Sequence, residues 1–548
     1  MQLIPSGKYF LPFLLLVFFF SFFTACKRVH KKASPSGFSD ESFSDKLESV
    51  LKPIDTTAMK KARTTSEDVR LAYELDEYQP IWVKENYVPA ESVEKLISDL
   101  EDMRWDGIDP EKYNLTAIKK LKAKLDTGKK NRVGEAVAFD TLLTHSYLAA
   151  AHDLLIGYVT PKTVDSLWFH ENDSVWNAPQ LLVEKGKYTP LDNYRSYVPT
   201  YSLLRNEYKR YYTLAVDSDF NKAIAGIHSE PHPDSTLVDN INTVIKTEFP
   251  WIETVHNDTM SEEAQLIATY QRYTGIRSTG KLDSTTFAHL AMTPAIYMNE
   301  LGANMERIRW MQQQFGDLYL IVDVPLMQLF LRKEGANVVH MNVVVGKPER
   351  QTPSLFAKMA NIVINPPWGV PPTILKQDVV PGFEKSGKKY LAQKGLKAYD
   401  RKGKLVNASR LTQKNLKNFT YKQDPGDDNS LGYVKFNLPN PWDIYLHYTP
   451  HRGDFGKYFR ALSSGCIRLQ HPQEMAVYIL SELEKKNYTP GKLDTIIETH
   501  KTRWEVLKTR IPVHIAYLTA FEDTTGKHVQ FTRDIYHRDE KLISALAN

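Results

Sequence analysis

From residue 66 to about 230 the apolar positions fall three and four apart. Val93-Glu94-Lys95-Leu96-Ile97-Ser98-Asp99-Leu100 and Phe139-Asp140-Thr141-Leu142-Leu143-Thr144-His145-Ser146-Tyr147-Leu148 show it most clearly. That spacing lays one face of an α-helix against a core. Gly107-Ile108-Asp109-Pro110 predicts a break between helices. Residues 235–300 continue the helical period in a smaller unit. From about 305 the period drops to two, and 318–324, 326–331 and 338–345 read as strands, with Lys333-Glu334-Gly335-Ala336-Asn337 as a hairpin turn. Further strands are expected at 362–364 and 444–447. A late hairpin, 513–521 with 528–531, turns at Asp523-Thr524-Thr525-Gly526-Lys527. Pro472 is placed to open a helix running to about Lys485, with His471 before it. The expected architecture is multidomain α+β, with helices first and a mainly antiparallel β domain last. Residues 373–432 interrupt the β pattern with Lys, Gly, Asn and Gln, and read as a structureless insert acting as a lid or binding loop.

The N-terminus follows neither period. Phe10 to Phe23 is almost wholly apolar, with Lys8 ahead of it and Thr24-Ala25-Cys26 behind. The run is shorter than the roughly 20 residues a membrane-spanning helix needs. It reads as a signal peptide over 1–26, with Cys26 as the lipid attachment site. Phe23 stands where Leu is more usual, and an uncleaved anchor is the alternative. Either way the body is expected outside the cytoplasm, in the periplasm or cell envelope, membrane-anchored, with inner or outer membrane left open. Residues 27–65 hold few large apolar groups and read as a flexible tether. The remainder is too long for one ordinary domain, and about three are expected. The net charge of +5, with both signs interspersed, gives no basic stripe for nucleic acid. A mildly basic exported protein suits an anionic wall polymer.

The chain has two cysteines, Cys26 and Cys466. If Cys26 carries lipid, Cys466 is an unpaired thiol in an exported protein, where thiols are normally paired or absent. It sits in Ser463-Ser464-Gly465-Cys466-Ile467-Arg468, with His447 upstream at the end of a predicted strand. A thiol attacks as thiolate and needs a base or cation nearby. His447 is the candidate base. Gly465 lets the chain turn so that the amides of Gly465 and Cys466 face an oxyanion. Arg468 adds charge near the thiolate or holds a substrate carboxylate. The competing readings are a buried apolar cysteine and a zinc site of His447, His451, His471 and Cys466. That spacing fits no metal pattern, and His-Glu-x-x-His is absent, so no metal or cofactor is expected. The helical block holds no catalytic constellation and reads as a scaffold.

Two stretches resemble known families. Tyr270-Gln271-Arg272-Tyr273-Thr274-Gly275-Ile276, then Thr279-Gly280-Lys281-Leu282-Asp283 and the helix from Thr286 to Leu290, resemble the second half of the peptidoglycan-binding repeat. The plain alternative is a helix-turn-helix scaffold. His447 with Ser463-Ser464-Gly465-Cys466-Ile467-Arg468 resembles the active-site motif of the YkuD-type L,D-transpeptidases. So do Asn304-Met305-Glu306-Arg307, Val343-Val344-Val345-Gly346-Lys347-Pro348-Glu349-Arg350-Gln351-Thr352-Pro353, Asn365-Pro366-Pro367-Trp368-Gly369-Val370-Pro371-Pro372, Gly432-Tyr433-Val434-Lys435-Phe436 and Asn440-Pro441-Trp442-Asp443-Ile444-Tyr445-Leu446-His447.

These match the large, YcbB-like branch of the family. That resemblance implies a scaffold over 66–234, a peptidoglycan-binding-like unit over 235–300 and a catalytic domain over 305–535 with its lid at 373–432. It also implies a mechanism: Cys466 attacks the L-centre carbonyl of the third residue of a stem tetrapeptide, D-Ala leaves, and a neighbouring stem's amine takes the acyl group in a 3→3 cross-link. The implied partners are peptidoglycan stem peptides and, through the N-terminal lipid, a membrane. His447 is implied as base, Gly465 and Cys466 as oxyanion donors, and Ser463 as the residue orienting the imidazole. Trp368 and Tyr445 are read as pocket wall, with core aromatics as the alternative. Ser464 departs from the family's usual His before the Gly. An L,D-carboxypeptidase using the same site and a non-catalytic wall-binding lipoprotein are the alternatives. A carbapenem adduct at Cys466 is expected of a competent thiolate.

Overall fold

The computed structural model describes residues 38–52, 65–127, 132–184, 188–229, 235–252 and 259–547. The apolar run, Cys26 and, of the expected tether, residues 27–37 and 53–64 lie outside them. Among the described residues no helix is long and apolar enough to cross a membrane.

Among the described residues α-helices come first: α1 (Glu41–Leu51), α2 (Thr65–Leu75), α3 (Ser92–Asp102), α4 (Leu115–Leu125), α5 (Val133–Leu155), α6 (Pro161–Val164), α7 (Ala178–Glu184), α8 (Pro199–Val216), α9 (Ser218–Ser229), α10 (Ser235–Glu248), α11 (Glu262–Tyr273), α12 (Ser284–Leu290) and α13 (Pro294–Arg309). The break expected at Gly107–Pro110 separates α3 from α4. One expectation is corrected at once. Residues 41–51 are not tether: Asp40 caps α1 by accepting from Phe43 N–H at 2.7 Å, and Phe43, Leu47 and Leu51 are buried in the helical core. Three apolar residues at helical spacing suffice once a neighbouring core receives them, which composition alone does not reveal.

The apolar packing also divides the helices differently from the boundary expected near 234. One core joins α1 to α5 and α7 and ends near Tyr194. A second begins at Val159 and runs through α8 to α13 into the β domain. Helical periodicity shows that a face is buried, not against which partner. Within 259–290 the motif residues have clear structural parts. The Gln271 amide takes N–H groups from Thr279 (2.7 Å) and Gly280 (2.9 Å) and donates to Lys281 O (2.9 Å) and Thr286 Oγ1 (2.8 Å). Asp283 caps α12.

The strands are β1 (Trp168–Phe169), β2 (Leu318–Asp323), β3 (Gln328–Lys333), β4 (Ala336–Gly346), β5 (Ser354–Ile364), β6 (Trp368–Gly369), β7 (Lys397–Tyr399), β8 (Leu405–Val406), β9 (Thr420–Gln423), β10 (Val434–Asn437), β11 (Leu446–His447), β12 (Ala461–Ser463), β13 (Ile467–Leu469), β14 (Arg503–Ala516), β15 (Ala520–Glu522) and β16 (Val529–Phe531). The ladder runs β5-β10-β11-β13-β4-β3-β2-β14, and β14 pairs again with β5, closing it into a ring. Closure leaves no long open edge to aggregate. Most pairs are antiparallel as expected, but β1/β5, β11/β13, β12/β4 and β14/β2 are parallel. The strand expected at 513–521 is split, because the chain leaves the ring after Ala516 and re-forms as the β15/β16 hairpin. The helix from Pro472 appears as α14 (Pro472–Tyr478), followed by a π-helical turn Ile479–Leu483. After α15 (Pro490–Glu498), the chain continues past 535 into α16 (Asp539–Ala547), tied to α13 by a buried Arg307–Asp539 pair at 2.5 Å.

Residues 373–432 are not structureless. A helix runs from Pro372 through a π-helical turn at Leu375–Val379 to Ser386, and a sheet β6-β9-β7-β8 packs beside it. Val379, Phe383, Leu391, Leu396, Leu416 and Tyr421 give the insert its own small core. Its strands are two to four residues long, too short for an alternating pattern to stand out.

Candidate active site

Register arithmetic brings the candidate residues together. β11 runs parallel to β13 with His447 beside Arg468 and Leu446 beside Ile467. Ile467 N–H donates to Tyr445 O at 3.2 Å, so Tyr445 lies next to Cys466. β10 is antiparallel to β11 with Lys435 opposite His447. Side chains alternate across a sheet. Lys435, Tyr445, His447, Cys466 and Arg468 therefore share one face, with His447 and Cys466 as diagonal neighbours. A parallel pair requires a crossover rather than a tight hairpin. The chain meets that with the 448–460 loop and the short β12.

This face forms the floor of a cavity of about 580 Å³. Trp368, Trp442, Tyr445, His447, Ser463, Ser464, Cys466 and Arg468 line it from the β domain, and Thr373, Ile374, Asp378, Tyr390 and Leu396 from the insert. The volume falls within the range of small-molecule sites. Among the described residues no group of His, Cys, Asp and Glu is arranged to hold a metal ion.

Cys466 is partly exposed to the cavity and unpaired. Its thiol faces the Asp443 carbonyl at 3.5 Å, which Asp443 presents from a left-handed conformation (φ +54°). Burial raises the thiol pKa, and Asp443 adds to that. The Tyr445 N–H and hydroxyl and the Lys435 ammonium oppose it. The Trp368 indole lines the same cavity as Tyr445. His447 is buried, and its Nδ1 lies 2.5 Å from Tyr448 O. A carbonyl only accepts, so Nδ1 carries the proton and Nε2 the lone pair. Burial, then the Arg468 guanidinium and Lys435, push the imidazole down to about 3, against the pull of the Tyr448 and Leu431 carbonyls. The resting pair is a neutral imidazole beside a thiol.

Two expected roles are corrected by the turn itself. Ser463 does not bond His447. Its hydroxyl donates to Cys466 O at 2.5 Å and accepts from Gly465 N–H at 3.1 Å. That uses the Gly465 amide, so Gly465 is not an open oxyanion donor. Cys466 N–H makes no hydrogen bond to another described residue and faces no such competition. Gly465 is needed for its backbone instead, at φ +114°, where an L side chain is strained. Thr352 fixes the turn from behind, accepting from Gly346 N–H and donating to Gly465 O, both at 2.8 Å. Arg468 shares its charge with Asp454 at 3.3 Å.

With this geometry in view, residues 317–513 match the L,D-transpeptidase catalytic domain family YkuD, and residues 67–207 match the Scaffold domain family. The chain carries a YkuD-type L,D-transpeptidase domain behind a scaffold domain. A curated protein of Haemophilus influenzae, named "Putative L,D-transpeptidase", is 30% identical over 251 residues, which is 45% of this chain. The chain spans half the length of that relative. A solved structure, the Ldtfm-avibactam carbamoyl enzyme, aligns with 40% of this chain and 62% of its own at 12% identity and a TM-score of 0.19.

The sequence reading of this transpeptidase domain missed Lys435, Asp443, Thr352, Trp442 and the Arg350–Asp378 pair. Arg350 donates to both Asp378 oxygens (2.5 and 2.7 Å) and to Ser464 Oγ (2.9 Å), linking the insert to the residue two before the thiol. Each sits in a string that carried the resemblance or in the insert. What singles them out is strand register and turn contacts, which spacing does not encode.

Proposed function

We propose that this protein is an envelope L,D-transpeptidase that forms 3→3 peptidoglycan cross-links. The observation that carries the reading is the neutral His447 imidazole beside a lone thiol on one sheet face, under a peptide-sized cavity, in a YkuD domain. Cys466 Sγ attacks the carbonyl of the third stem residue as His447 Nε2 takes its proton. The developing oxyanion faces Cys466 N–H. The C–N bond to D-Ala breaks, and the leaving nitrogen takes the proton from His447. A second stem's amine then attacks the thioester, giving its proton to His447 and releasing the thiol. The insert acts as a lid over this cavity. Residues 235–300 hold the wall polymer, and a lipid on Cys26 ties the enzyme to an envelope membrane.

The test is incubation of the protein lacking 1–26, and its Cys466→Ala variant, with disaccharide-tetrapeptides. A dimer lighter by one D-Ala, absent with the variant, is expected by mass spectrometry. Tripeptide alone would make the protein a carboxypeptidase, and no product would leave wall binding. A carbapenem is expected to add one drug mass at Cys466.

A further inference from the structure

A partly exposed thiol next to a neutral base still needs a positive charge, because attack and release both pass through a sulfur anion. Three cations lie on or beside the strands and turn that carry Cys466. Arg468 on β13 is shared with Asp454 at 3.3 Å. Arg350 is clamped by Asp378. Lys435 on β10 is different. It is partly buried, and among the described residues it has no carboxylate within ion-pair distance. Its Nζ stands 4.0 Å from the centre of the ring of Tyr445, the residue that strand register sets next to Cys466. Val434 and Phe436 on either side are buried in the core, so Lys435 points to the opposite, active face. Lys435 also lines a second cavity of about 280 Å³, bounded by Trp368, Asn440, Asp443 and Tyr445. A half-buried ammonium without a carboxylate partner is costly to keep unless something else compensates it.

We propose that the Lys435 ammonium is the counter-charge of the Cys466 thiolate, held in place across the Tyr445 ring. The proposal rests on Cys466 being the nucleophile. Burial lowers the lysine's own pKa, and Cys466 and Asp443 raise it again, as a shared field requires. The other groups facing the sulfur are Asp443 and Tyr445 from the segment before β11, His447 on β11, Arg468 with Asp454, and Arg350 with Asp378 beside the turn.

The test is the pH dependence of iodoacetamide alkylation of the full chain, with Cys466→Ala run in parallel to subtract Cys26. The reagent is neutral, so a lysine cannot attract it. Lys435→Met is expected to raise the midpoint by about one pH unit, a tenfold loss of thiolate at neutral pH. Lys435→Arg is expected to restore most of it. If Lys435→Met does not fold, Lys435→Gln is read by the same criterion. An unchanged midpoint overturns the proposal. If turnover falls through KM with the midpoint unchanged, the lysine binds substrate instead and the proposal is likewise overturned. A shifted midpoint in a protein that makes no cross-links would sink the transpeptidase reading while supporting this one.

Discussion

Thr352 shows how far a single hydroxyl reaches into this site. It holds Gly346 N–H and Gly465 O at once, and so joins β4 to the Ser463–Cys466 turn. Thr352→Val keeps the shape and leaves two buried backbone groups unpaired. A loss of about 1–3 kcal/mol is expected in urea unfolding, with alkylation of Cys466 slowed as the turn loosens. His447 carries a pH signature. The unfolded imidazole binds a proton below about 6.5, whereas the folded one does so only near 3. Its contribution to stability is therefore complete above the unfolded value and is lost as pH falls from there toward 3. His447→Gln removes this dependence, so the variant should lose less stability than the parent between neutral pH and pH 4. At this scale the sequence was informative where chemistry is rare: a lone thiol and one histidine before it. The parts played by Ser463 and Gly465 were misread because a turn's hydrogen bonds depend on how it closes. Lys435 was legible only once His447 gave it a register.

Among the elements, the insert helix over Pro372–Ser386 controls how the cavity is walled. Its π-helical turn places Asp378 against Arg350, which also holds Ser464. The pair is partly exposed on the Asp378 side, so its strength is about 1 kcal/mol or less. Asp378→Asn should speed hydrogen exchange through 372–393 by up to about fivefold, with the ring strands unchanged. Equal rates there would remove the clamp from the account. The long strands and α5 were readable because period and length agreed. The insert was not, since strands of two to four residues carry too few alternations, and its order comes from eight buried apolar side chains contributed by separated segments.

For the whole molecule, α13 is where the parts meet. Arg309 and Glu306 pair at 2.7 Å with both side chains fully buried. Arg309 donates to Tyr201 OH at 2.7 Å and to Asp106 O at 3.2 Å, while Glu306 accepts from Val159 N–H at 2.6 Å. Arg309→Met would strand a buried carboxylate and is expected to cost about 3–5 kcal/mol in unfolding experiments. The sequence reading ended the helical unit near 300, whereas α13 runs on to Arg309, and spacing could not show that its charged residues point inward. Earlier in the chain, β1 leaves the helical region to pair in parallel with Ser354 and Leu355 of β5, and its Trp168 packs on Trp310 at 5.3 Å. The β domain is therefore not a portable module. A gene fragment beginning at 305 would encode the closed ring stripped of the short strand that flanks β5 and of the aromatic partner of Trp310.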